Sequence, residues 1–134
     1  MGLHVTETPF EIPPAETTLG ACIIIADLGL QKETYMGQER IRPKIAFVWE
    51  LPKLLMEDGR PFVLSEVFTA SIDERSRIRK ILTSWRGQDL SPEEIANGYD
   101  FSKLLGKWCA IGISHTEKNG KKYANISSVT KLMS

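Results

Sequence analysis

The chain has 134 residues, with 17 basic and 17 acidic side chains and a hydrophobic content of 42%. This length suits a single domain with its own core, and the composition is that of an ordinary globular protein. A net charge of zero excludes a protein that coats nucleic acid through bulk charge. Any polyanion site must therefore come from local clustering of cations.

Membrane insertion and secretion are not indicated by the sequence. The longest apolar run, residues 21–26, has the length of a strand and not the roughly 18 residues of a membrane span. The N-terminus has neither a basic region nor an apolar core of the kind found in signal peptides. Cys22 and Cys109 lie in apolar strand-like runs and are expected to be reduced core residues. We therefore expect a cytoplasmic protein.

The first half of the chain predicts an extended arm followed by three strands. Residues 1–19 contain three prolines and no sustained period, which is typical of an arm ahead of a domain at residues 20–134. Residues 21–30 predict a first strand covered on both sides, and residues 31–39 a polar loop that carries Tyr35. Alternation of apolar residues predicts the second and third strands at residues 40–51 and 62–72.

A helix is predicted at residues 74–86, where Ile78, Ile81, Leu82 and Trp85 share one face at helical spacing. Ser71 or Asp73 can cap its start, and Gly87 lies where a C-terminal glycine is expected. The remaining faces of this helix are rich in arginine and are interpreted as solvated surface. A second short helix is predicted after Ser91, because serine caps helices and proline suits the first turn.

The end of the chain, residues 106–132, predicts a hairpin with Asn119 and Gly120 in its turn. Both residues tolerate the positive φ that a type I′ turn requires. Lysines 118, 121 and 122 surround the turn, and Tyr123 follows them. A rigid hairpin of this composition is suited to holding a polyanion.

The predicted order is strand, strand, strand, helix, strand, strand. A mainly β fold, the five-stranded Greek-key OB-fold barrel with a helix between strands 3 and 4, has this order. An α+β sheet with its helix on one face is the alternative.

No catalytic site, metal site or cofactor is predicted. The two histidines, His4 and His115, lie in the arm and at the mouth of the hairpin, and neither position suggests a protected nucleophile and base pair. Zinc, dinucleotide and nucleotide-binding motifs are absent from the sequence.

Single-stranded nucleic acid is the ligand that the residue types favour. It is held by a cationic groove together with aromatic rings on which bases stack. On the predicted binding elements of an OB-fold, the candidates are Lys32, Tyr35, Arg42, Lys44, Trp49, Arg60, Phe68, Lys118, Lys121, Lys122 and Tyr123. At least one of Phe47 and Trp49 is expected in the core, the side of Phe68 is left open, and Trp108 is expected to pack.

Three segments, VWELPKL, FTASIDERSRIRKILTSWRGQDLSPEEI and FSKLLGKWCAIGISHTEKNGKKYANISSV, give the chain a family resemblance. Over about residues 20–132 it resembles small bacteriophage proteins regarded as OB-fold single-stranded DNA-binding proteins. The resemblance implies a role in phage DNA replication or recombination, in the host cytoplasm, beside other replication or recombination proteins. The chain ends VTKLMS, without the acidic tail that many such proteins use to recruit partners.

A protein-interaction or structural module of a phage, without nucleic-acid binding, is the alternative function. The neutral net charge and the proline-containing arm favour it. Exposed strand edges would also permit a homo-oligomer.

Overall fold

The computed structural model describes residues 11–132, which form five strands, two α-helices and a short 3₁₀-helix. The five strands make one antiparallel sheet in the order β3-β2-β1-β4-β5. The elements in chain order are β1 Thr17–Tyr35, β2 Gln38–Leu55, β3 Pro61–Thr69, α1 Arg77–Arg86, α2 Pro92–Asn97, the 3₁₀-helix Phe101–Leu104, β4 Trp108–Lys118 and β5 Lys121–Thr130.

The mainly β, five-stranded fold is confirmed, but the sheet does not close into a barrel. Strands β3 and β5 are the two edges of an open sheet. Helix α1 lies against both edges, and its Arg77 connects them. The Nη2 of Arg77 donates to a carboxylate oxygen of Glu66 on β3 at 3.0 Å and to the carbonyl of Ile126 on β5 at 2.9 Å. A helix side chain thus bridges the two edges, through a carboxylate of β3 and a backbone carbonyl of β5.

The core lies between the inward face of the sheet and helix α1. Strand β2 alternates as predicted, with Ile45, Phe47, Trp49 and Leu51 buried. The predicted apolar face of α1 is confirmed, since Ile78, Ile81, Leu82 and Trp85 are all buried. Cys22 and Cys109 are free thiols of this core, and burial raises the pKa of Cys22 to about 11 and of Cys109 to about 12.

Strand β1 is longer than predicted at both ends. It begins at Thr17, inside the stretch expected to be an arm, and it continues through the predicted loop to Tyr35. The chain turns at Met36 and Gly37, both with positive φ, and returns as β2. Residues 30–43 extend past the first pair of β2 with β3, Lys44 with Thr69, and form a two-stranded ribbon that we name the β1–β2 arm. Residues 1–10 of the expected N-terminal arm lie outside the described residues.

The predicted C-terminal end of α1 and the predicted hairpin turn agree with the structure, whereas the predicted start of α1, capped by Ser71 or Asp73, is wrong. Helix α1 starts later than expected, because the Oγ of Ser76 caps it by accepting from the backbone N–H of Arg79 at 3.2 Å. Gly87 ends α1 in the left-handed region, as predicted. In the β4–β5 turn, Asn119 and Gly120 have φ values of 54° and 77°, which matches a type I′ turn.

Candidate nucleic-acid interface

Two of the predicted aromatic residues, Trp49 and Phe68, lie in the core. Their exposed fractions are 0% and 3%. Phe47 packs between them, with ring centroids 5.5 Å from Trp49 and 5.7 Å from Phe68. Trp49 shares the inward face of β2 with the buried aliphatic residues, and Phe68 faces the same side from β3. The prediction that these two rings stack on bases is therefore wrong.

Two of the predicted cations, Lys32 in the β1–β2 arm and Lys44 at its base, pair with carboxylates of the arm. Lys44 Nζ lies 2.7 Å from Glu33 Oε2 and 2.7 Å from Thr69 Oγ1, with most of its side chain buried. The hydrogen bond from Lys44 is the main cause that holds the pKa of Glu33 below its usual range. Lys32 lies 3.7 Å from Glu39. Lys44 is thus committed to an internal pair, whereas the Lys32–Glu39 pair is exposed to solvent and holds Lys32 only weakly.

The other predicted residues of the first three strands are exposed but are poorly arranged for a ligand. Tyr35 stands at the tip of the arm, and the guanidinium of Arg40 lies over its ring at 4.3 Å from the centroid. Arg60, in the turn between β2 and β3, pairs with Asp58 at 2.6 Å. Arg42 is exposed on the arm and forms no ion pair within residues 11–132.

The structure does not bring the predicted residues into one groove. Thr17, at the start of β1, pairs with Gly112, and β4 then continues away from β1 toward its turn. The β1–β2 arm lies beyond the other end of β1. The arm residues and the β4–β5 turn therefore occupy opposite ends of the longest strand.

The predicted residues of the β4–β5 hairpin do come together. Residues paired directly across two strands share a face. Lys118 pairs with Lys121 and Thr116 with Tyr123, so both lysines and the tyrosine project from the outward face. Lys122 pairs with Glu117 and projects from the opposite face. Tyr123 is 47% exposed.

The two outward-facing lysines, Lys118 and Lys121, have no carboxylate opposite them in the described residues, whereas Lys122 lies opposite Glu117. None of Lys118, Lys121 and Lys122 forms an ion pair in the part of the chain that the structure describes. Like charges directly opposite each other on two strands are destabilising. A bound anion between Lys118 and Lys121 would remove this repulsion, which makes the turn a better anion site than any cation on the arm.

Trp108 extends the outward face at the other end of β4, and the sequence interpretation missed it. Its exposed fraction is 51%, and its carbonyl accepts a hydrogen bond from Trp85 Nε1 at 3.0 Å, which fixes the start of β4 on α1. Trp108 alternates out of phase with the apolar residues 109, 111 and 113. That alternation was the available signal that the ring points away from the core.

Between Trp108 and Tyr123 the outward face carries small and polar side chains. Asn125 Nδ2 donates to Thr116 Oγ1 at 2.8 Å, which orders the middle of this surface. We name this surface the hairpin face, formed by Trp108, Ala110, Gly112, Ser114, Thr116 and Lys118 of β4 and Lys121, Tyr123, Asn125 and Ser128 of β5. At ~3.3 Å per residue it is about 26 Å long from Trp108 to Thr116.

His115 Nε2 lies 2.7 Å from the carbonyl oxygen of Pro13, so this histidine ties the chain before β1 to β4. Within residues 11–132, histidine, cysteine and acidic side chains form no group that could hold a metal ion. The helices described there are too short and too polar to cross a membrane.

Comparison with known proteins finds no family model and no curated sequence that matches this chain.

Proposed function

We propose that this protein is a non-catalytic single-stranded DNA-binding protein that uses the hairpin face. The observation that carries the proposal is the arrangement of Lys118, Lys121 and Tyr123: two cations with no ion pair to residues 11–132, beside a half-exposed ring on one rigid surface. Lysines would contact phosphates while bases stack on the ring, which is the usual way of holding a single strand without sequence preference. From the family resemblance we infer a role in phage DNA replication or recombination.

The strand order supports the proposal. The order β3-β2-β1-β4-β5, with α1 between β3 and β4, is compatible with an OB-fold barrel that has opened between β3 and β5. OB-folds bind oligonucleotides on the face of strands 2 and 3 and through the loops that join strands 1 and 2 and strands 4 and 5. The turn between β4 and β5 corresponds to the second of those loops.

Titration of labelled oligo-dT with the protein, over a range of salt concentrations, tests the proposal. We expect binding that weakens as salt rises, because each lysine contact releases counterions. Tyr123→Ala should cost about 1 to 3 kcal/mol of binding free energy, the usual contribution of one stacked base.

Tyr35→Ala is the matched control, since the ring of Tyr35 is also exposed but is covered by Arg40. It should bind oligo-dT as the wild type does. Failure of the wild type to bind at low ionic strength would refute the function, and equal binding of oligo-U would widen the ligand to single-stranded nucleic acid in general.

A protein-interaction surface is the second candidate function, and a different part of the sheet favours it. The outward faces of β1, β2 and β3 include the exposed apolar residues Ile24 and Val67, with Val48 and Ala46 of β2 between them. Ile24 pairs with Val48, and Ala46 with Val67, so these residues are contiguous across the three strands. Exposed apolar patches mark protein interfaces. Retention of a protein partner after nuclease treatment, with no binding to oligo-dT, would favour this function.

A further inference from the structure

A cleft of about 340 Å³ lies between helix α1 and strand β5, beside the hairpin face. Its polar lining consists of three basic side chains and three hydroxyl groups, from Arg75, Arg77, Lys80, Ser84, Ser127 and Ser128. Arg75 and Arg77 also form ion pairs with Asp73 and Glu66, which lie outside the lining.

The cleft has this composition because one face of helix α1 points toward strand β5 but is not fully buried against it. Arg77, Lys80 and Ser84 lie at helical positions i, i+3 and i+7. Arg77 is held in place by Glu66 on β3 and by the carbonyl of Ile126 on β5. The wall of the cleft is therefore ordered by contacts to both edges of the sheet.

Several hydrogen-bond donors of this wall remain unused. Arg75 uses its Nε for Asp73 at 3.3 Å, and its two terminal nitrogens make no hydrogen bond to residues 11–132. Arg77 uses Nε and Nη2, which leaves its Nη1. Lys80 is exposed and forms no ion pair with any residue in this described range. Phosphate oxygens accept hydrogen bonds from groups of these kinds, namely guanidinium, ammonium and hydroxyl groups.

The cleft is continuous with the hairpin face. A register shift between Gly112 and Ile113 gives β5 one extra residue, Ser127. Ser128 pairs with Gly112 on the outward face and also lines the cleft. From Lys121 to Ser128 the strand covers about 23 Å at ~3.3 Å per residue. A stacked single strand covers that length with about 7 nucleotides at ~3.4 Å each.

We propose that the cleft between α1 and β5 binds phosphate groups of the same single strand that lies on the hairpin face. This inference rests on the proposed function and extends it. It defines the path of the bound strand, from the hairpin face to the cleft, and gives the strand a second contact region. The ligand group in the cleft is the phosphodiester backbone and not a base, since the lining contains no aromatic ring. The bases of this segment would face solvent.

The experiment compares two oligo-dT lengths, about 5 and about 16 nucleotides, near the two ends of the site-size range of one OB-fold. The variant is Arg75→Ala with Lys80→Ala. Both side chains are exposed and Arg77 is left intact, and a thermal melt checks that the variant is folded. The short oligonucleotide reaches only the hairpin face, whereas the long one reaches the cleft as well.

We expect the double variant to bind the long oligonucleotide about tenfold more weakly, as for two exposed charge contacts of ordinary strength. Its affinity for the short oligonucleotide should equal that of the wild type. The matched control is Lys53→Ala. Lys53 is an exposed lysine of β2, far along the chain from the cleft, and its removal should change neither affinity.

Three results would overturn the inference. If the double variant binds the long oligonucleotide as tightly as the wild type, the cleft takes no part, while the hairpin face remains a site. If it loses affinity for both lengths equally, the two cations act through the general charge of the protein. If the wild type binds neither length, the proposed function itself fails.

Discussion

Removal of the two outward-facing lysines should change the salt dependence of binding by a predictable amount. Each phosphate contact to a single strand contributes about 0.7 to the slope of log Kobs against log salt concentration. The double variant Lys118→Ala with Lys121→Ala should therefore make that slope less steep, by about 1.4. When salt rises from about 50 to 200 mM, the ratio of the wild-type binding constant to that of the variant should fall about sevenfold.

The same double variant should fold at least as well as the wild type. Lys118 and Lys121 are directly paired and carry no carboxylate partner within residues 11–132. Their removal ends a like-charge cross-strand contact, so the free energy of unfolding should rise by about 0.2 to 1 kcal/mol at low salt. Fluorescence anisotropy with oligo-dT gives the slope, and urea denaturation gives the stability. An unchanged slope in a folded variant would refute the placement of phosphates at this turn.

Three further predictions concern the core and its surroundings. Gly20→Ala should lower the free energy of unfolding by about 1 to 3 kcal/mol in urea titrations, because an added Cβ would lie 2.6 Å from Ile111 Cγ1 in the core. Asp89 has its pKa lowered to about 2, mainly by a hydrogen bond from Arg79. Its stabilisation is present above the unfolded pKa and is lost as pH falls from about 4 toward 2, so Asp89→Asn should make the acid-induced loss of stability shallower. Cys109, whose pKa is raised to about 12 by burial, should react with a thiol reagent only after unfolding, and rapid labelling of the folded protein would contradict its burial.

Periodic apolar residues made the core elements predictable. The alternation through Ile45, Phe47 and Trp49 and the helical spacing of Ile78 and Ile81 require burial on one face, and the structure has both. The same alternation already placed Trp49 beside buried aliphatic residues. The error at Trp49 came from assigning function by residue type, although the position within the strand indicated the core.

The β1–β2 arm could not be predicted from periodicity, because neither of its faces is buried against the rest of the molecule. Its polar residues resemble a loop, yet the strands continue and pair with each other as far as Tyr35 and Gln38. Without the register, the proximity of Glu33 to Lys44 was also hidden. The open gap between β3 and β5, which Arg77 bridges, involves residues distant in sequence, and no local pattern reveals it.

The two partners of β1 have a consequence for how quickly the chain reaches its native state. Residues from Ala21 onward pair with β2, which follows directly, so β1, β2 and β3 can assemble through short loops. Thr17 to Ala21 instead pair with β4, across most of the length of the chain. Long-range pairing of this kind raises the contact order and slows folding. Docking of the β4–β5 hairpin onto the start of β1 is thus the step that should limit the folding rate.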